Sequence, residues 1–167
     1  MLARLGQATL VAFSCLLIPA VDRAAAAEVV ALGASQTYGH GVARGQDYPA
    51  QLQAMLRQDG LHVTVLNAGV RNGTTTGAML ARLPGLLAAD TRVLILQPGR
   101  ERGGDDRRGS MLQMEQMAAR RGIEVIKIPN SWFKEFPRQA VDHQHLTAEG
   151  LHSLASKLLP RVETALR

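Results

Sequence analysis

Four short, predominantly apolar runs, separated by stretches with helical spacing, constrain this chain more than any other feature of its sequence. The first, Val29 to Leu32, ends in Gly33, and Val63 to Leu66, Val93 to Leu96 and Val125 to Ile128 follow at intervals. Runs without polar alternation suit strands covered on both faces. The spacing between them predicts helices over Pro49 to Leu56, Gly77 to Leu87 and Met111 to Arg121. A last helix spans Thr147 to Leu166, started by Thr147 to Gly150, with Leu151, Leu154, Leu158 and Leu159 as its core-facing stripe. Alternation of strand and helix dictates a parallel α/β sheet wrapped by helices. Gly99 to Gly109 is the one long polar loop. Sheets of this kind bind ligands beyond the carboxyl ends of their strands.

The first 27 residues read differently. Arg4 gives a positive start, Leu10 to Val21 is apolar, and Ala24 to Ala27 supplies the small residues of a cleavage site. This is the pattern of a secretory signal peptide, cut before Glu28, with an uncleaved anchor as the alternative. The apolar run is shorter than the roughly 20 residues of a membrane span and is followed by Asp22 and Arg23. Cleavage leaves one domain, 28–167, in the periplasm or outside the cell, without a membrane span. The only cysteine, Cys15, leaves with the signal, so neither a disulfide framework nor a multi-cysteine metal site is expected.

Net charge is +5, but the nineteen Lys and Arg residues are scattered from Arg4 to Arg167. Without a basic run there is no nucleic-acid arm, and no nucleic-acid partner is expected. Interleaved Glu101, Asp105 and Asp106 make Arg100, Arg102, Arg107 and Arg108 part of a solvated loop. Met111, Met114 and Met117 recur at helical spacing and pack a helix on the sheet. Trp132 and Phe133 either line a ligand pocket or anchor a loop to the core.

Polar residues gather at the strand ends. Gly33-Ala34-Ser35-Gln36 follows the first strand, Asn67-Ala68-Gly69 the second and Gln97-Pro98-Gly99 the third, while Asp142-His143-Gln144-His145 stands just before the last helix. A serine hydroxyl is a weak nucleophile until a base takes its proton, and histidine, oriented by a carboxylate, is that base at neutral pH. Ser35, His145 and Asp142 supply the three groups. Asp142 and His145 lie three residues apart, on one side of a turn. His143 follows Asp142 directly, so its side chain diverges from the carboxylate.

These blocks resemble those of the SGNH (GDSL) hydrolases, in order and separation, across nearly the whole domain. Gly33-Ala34-Ser35-Gln36 resembles the Gly-Asp-Ser-Leu block, Asn67-Ala68-Gly69 the second block, and Asp142 to Thr147 the terminal Asp-x-x-His block. The esterase and acyl-thioesterase branch is the most similar. The resemblance implies a three-layer, flavodoxin-like parallel sheet and cofactor-free, metal-free hydrolysis of small acyl esters, thioesters or lysophospholipid-like substrates. Ser35 would be the nucleophile, His145 the general base and then acid, and Asp142 its orienting partner. The N–H groups of Ser35 and Gly69 would donate to the oxyanion.

An Asn of the third block normally completes that oxyanion hole. This chain carries Glu101 or Asp105 there instead, and an ionised carboxylate cannot donate. The expectation is that neither carboxylate points into the hole, and that the Asn72 side chain or a water assists. A binding or scaffold protein that kept the triad without turnover is the runner-up reading. A phosphate- or flavin-binding protein is disfavoured, because Gly33-Ala34-Ser35 lacks the glycine order those sites need.

Overall fold

A computed structural model describes residues 28–101, 104 and 106–167. The expected signal segment, Arg102, Gly103 and Asp105 lie outside the described residues. Four parallel strands form one sheet: β1 (Glu28–Gly33), β2 (Thr64–Gly69), β3 (Thr91–Leu96) and β4 (Glu124–Lys127), in the order β2-β1-β3-β4. Five α-helices accompany them: α1 (Ser35–Tyr38), α2 (Tyr48–Gln58), α3 (Thr76–Arg82), α4 (Arg107–Ala119) and α5 (Ala148–Leu166).

The sheet separates two apolar layers. Val29, Ala31, Val93 and Ile95 face Tyr48, Leu52 and Leu56 of α2 and Leu151, Leu154, Leu158 and Val162 of α5. On the other side, Val30, Leu32, Leu94 and Leu96 meet Met79 of α3 and Met114 and Ala118 of α4. The result is the expected three-layer arrangement of a parallel sheet flanked by helices. Each fully buried Leu or Val contributes about 1.5–3 kcal/mol of transfer free energy, so the central strands and the α5 stripe supply a large share of the apolar driving force.

Position in the sheet explains where the sequence expectation departs from the structure. Residues 29–32 of β1 and 93–96 of β3 are fully buried, as continuous apolar runs require. The outer strands β2 and β4 alternate between buried and exposed positions instead. Their apolar runs therefore mark them only approximately, and β2 extends through Asn67 to Gly69.

The helix expected over Gly77 to Leu87 stops at Arg82 and continues as a 3-10 turn over Leu83–Gly85, because Pro84 cannot donate to the helical ladder. Helix α4 starts four residues earlier than Met111. Asp106 caps it by accepting the Gly109 N–H at 2.8 Å, which shortens the polar loop. Thr147 caps α5, its hydroxyl accepting the Gly150 N–H at 3.1 Å.

Trp132 and Phe133 pack, partly buried, against the α2 and α5 layer, which makes them anchors of the loop after β4. Met114 is buried in the other layer with Met111 and Met117 packed at its margin. Among the described residues no helix is long and apolar enough to cross a membrane.

Candidate active site

The carboxyl ends of β1, β2 and β3 open onto the loop before α5, and there the three chemically complementary residues meet. Ser35 opens α1, the turn leaving β1. Its Oγ lies 2.9 Å from His145 Nε2, across 110 residues of sequence. His145 Nδ1 lies 2.6 Å from Asp142 Oδ2. The carboxylate accepts the Nδ1 proton, which leaves Nε2 as an acceptor for the serine hydroxyl. The imidazole is 14% exposed and the carboxylate 32%, so the site is open to a small ligand.

Local backbone geometry makes this pairing. His143 adopts a left-handed conformation with φ of 53°, which turns the chain back over Asp142. Asp142 Oδ1 then accepts the N–H groups of Gln144 at 2.9 Å and His145 at 3.0 Å. His145, and not His143, faces the carboxylate. The hydrogen bond from His145, with the two backbone N–H groups, holds the Asp142 carboxyl well below the usual carboxylate range.

The sign of the pH effect follows. Folding lowers this pKa, so the unfolded chain binds the proton more readily. The contribution of Asp142 is complete above the ordinary aspartate value of about 3.9 and is lost as the pH falls below it. Denaturant unfolding of the wild type and Asp142→Asn should therefore show a stability gap that closes on acidification below that value. A gap that widens there would contradict the assignment.

Two residues that the sequence reading did not single out hold the site together. Gln97, at the end of β3 and 6% exposed, turns its Oε1 toward the start of α1. That oxygen accepts from Ala34 N at 3.1 Å, Thr37 N at 3.1 Å and Thr37 Oγ1 at 2.7 Å. It fixes the turn that presents Ser35. Gln36 bridges to the other half of the site, its Nε2 donating to Gln144 O at 2.7 Å and its Oε1 accepting from Leu146 N at 3.1 Å. Both signals were present only as polar residues beside recognised blocks.

The expected oxyanion donors are less uniform. Among the described residues no acceptor takes the Ser35 N–H, which is free for a ligand. The Gly69 N–H is not: it donates to Asn67 Oδ1 at 2.9 Å, and Asn67 is itself oriented by Asp47 through a bond of 3.0 Å. This corrects the expectation of a ready-made pair of amides. Gly69 has a different evident requirement, since a Cβ there would lie 2.2 Å from Tyr38 N. Only glycine lets β2 approach α1 so closely.

Asn72 is exposed and hydrogen-bonds to no described residue. Glu101 pairs with Arg107, its Oε1 3.3 Å from the Nε. Arg107 in turn donates to Gly99 O at 2.9 Å.

Beside Gly69 lies a cleft of about 530 Å³ lined by Tyr38, Val42, Arg44, Asp47 and Asn67. A larger cavity of about 630 Å³, lined by Arg92, Glu124 and Arg161 among others, sits at the amino ends of β3 and β4, and neither lining includes a triad residue. The carboxyl-end location is where such sheets bind ligands, so the smaller cleft is the relevant one.

No protein-family model and no curated protein matches this sequence. Solved structures do match. TesA is similar with a TM-score of 0.62 and 22% identity, over 84% of this chain and 98% of that one. AlinE4, an SGNH-hydrolase family esterase, gives 0.56 and 23%, over 85% and 97%. The acetyl xylan esterase AlAXEase gives 0.52 and 14%, over 81% and 99%. With its parallel β2-β1-β3-β4 sheet clothed by helices on both faces, the chain has the fold of the SGNH hydrolases.

Proposed function

We propose that this chain is a serine ester hydrolase of the SGNH type, exported to the periplasm or beyond, acting on small acyl esters, thioesters or lysophospholipid-like substrates. The observation that carries the reading is the unbroken line from Ser35 Oγ to His145 at 2.9 Å and on to Asp142 at 2.6 Å. In the acylation step the Ser35 hydroxyl attacks the ester carbonyl while its proton passes to His145 Nε2. Asp142 stabilises the imidazolium that forms. The carbonyl oxygen becomes negative and takes the Ser35 N–H, an interaction stronger in the transition state than in the ground state. His145 then returns the proton to the departing alcohol or thiol. Water repeats the sequence on the acyl-serine, restoring the free serine.

One observation favours the runner-up, a binding protein that kept the triad without turnover: Asn67 already occupies the Gly69 N–H. Hydrolysis of p-nitrophenyl acetate by the purified protein separates the two readings. Turnover above the Ser35→Ala background supports the hydrolase, and a wild type equal to that background supports the binding protein.

The oxyanion arrangement has its own test. Because Glu101 is paired with Arg107, Glu101→Asn should leave kcat within about threefold. A gain of tenfold or more, about 1.4 kcal/mol of barrier, would place the carboxylate in the hole. Asn72→Ala, in the same assay, should lower kcat on the order of 10² if the exposed amide supplies the second donor. An unchanged kcat leaves the Ser35 N–H with a water in that role.

A further inference from the structure

A second histidine, unused in the mechanism above, lies against the first. The His40 and His145 rings have centroids 4.5 Å apart and planes tilted by 33°. His40 Nδ1 is buried and has no hydrogen-bond partner, and no described residue bonds to the ring at all. A buried polar atom without a partner is costly and calls for an explanation. The contact the ring does make with the site is the one with His145.

The stack is also built from both sides. Gln139 donates its backbone N–H to His145 O at 2.8 Å and its side-chain Nε2 to His40 O at 2.7 Å. The same Nε2 reaches Leu146 O at 3.0 Å. One residue thus fastens the backbones of both histidines. Gly41, with φ of +82°, leaves room for that side chain, since a Cβ there would lie 2.3 Å from Gln139 Oε1.

We propose that His40 is a positioning residue for the reaction, its ring face holding the His145 imidazole in line with Ser35 and Asp142 and stabilising the imidazolium. This inference rests on the hydrolase reading and adds to it. The imidazole has one edge bound to Asp142 and the other to Ser35, and a group packed on its face adds resistance to rotation out of the plane of those bonds. His40 touches it. When the ring takes the serine proton it becomes a cation, and an aromatic face at this distance attracts a cation. That attraction exists in the transition state and not in the resting enzyme, so it acts on kcat more than on KM.

The test compares His40→Phe, which keeps the face and removes the orphaned nitrogen, with His40→Gln and His40→Ala, which remove the face. Thermal unfolding first establishes that each variant folds, with His40→Phe at least as stable as the wild type. Expected is a fall in kcat of about tenfold in His40→Gln and His40→Ala with KM little changed. His40→Phe should recover most of that loss.

A second readout needs no turnover: the downfield proton resonance of the His145 Nδ1–H bound to Asp142. It should remain sharp in the wild type and His40→Phe, and should broaden or vanish in the other two. Equal kcat and equal resonances across all four proteins would overturn the proposal. A wild type without esterase activity but with the expected resonance pattern would sink the hydrolase reading, and with it the catalytic part of this proposal, while showing that His40 does hold the His145 ring.

Discussion

Ser35→Ala should reduce ester hydrolysis to the uncatalysed background, a loss on the order of 10⁴ to 10⁶, while thermal unfolding stays that of the wild type. The size follows from the geometry. Among the described residues the Ser35 hydroxyl is the one hydrogen-bond partner of His145 Nε2, and its side-chain bond is to that nitrogen. Among the described residues no other bond uses that hydroxyl, and α1 is held by Gln97 through the backbone of Ala34 and Thr37. Stability and activity therefore separate cleanly in this variant. Residual activity above about a tenth of wild type would mean that the nucleophile lies elsewhere.

The second large effect is on Gln97, where stability and activity should fall together. Gln97→Leu fills nearly the same volume but leaves the Ala34 N–H, the Thr37 N–H and the Thr37 hydroxyl without their acceptor. Each unsatisfied buried group costs about 1–3 kcal/mol, and partial relaxation brings the expected total to about 3–5 kcal/mol. Urea unfolding measures it. The folded fraction should also lose turnover, because the turn carrying Ser35 is no longer fixed against β3. Gln97→Glu keeps an acceptor oxygen at the cost of a buried charge, so it should fall between the two. A loss under about 1 kcal/mol in Gln97→Leu would show that the turn is held by something else.

Much of this arrangement is written in short stretches of sequence, and what is not written there has a common cause. The two central strands are legible in Val29 to Leu32 and Val93 to Leu96 because burial on both faces leaves no room for polar residues. The outer strands are blurred because one face of each is wet, and Asn67 and Gly69 read as loop although they end β2. Asp142 and His145 are legible because their contact is local, three residues apart.

Gln97, Gln36 and His40 are not, since each acts on a partner 40 or more residues away, and nothing in their own neighbourhoods distinguishes them from ordinary polar residues. The donor role of Gly69 fails for a different reason. A glycine at a strand end tells that the backbone comes close to something, and here it is α1 that comes close. Where the N–H points is decided by Asn67, whose side chain is in turn set by Asp47 from another element. Helix α1, four residues long, carries no periodicity to read.

The central claim is that His145 activates Ser35 as a nucleophile, and covalent trapping tests it most directly. The folded wild-type protein is treated with a fluorophosphonate, which esterifies an activated serine and mimics the tetrahedral intermediate, and the adduct is located by intact mass and peptide mapping. The account predicts one adduct per chain, on Ser35, formed far more slowly in His145→Ala and absent in Ser35→Ala. A folded wild-type protein that takes up no label, or takes it up at another residue, would contradict it.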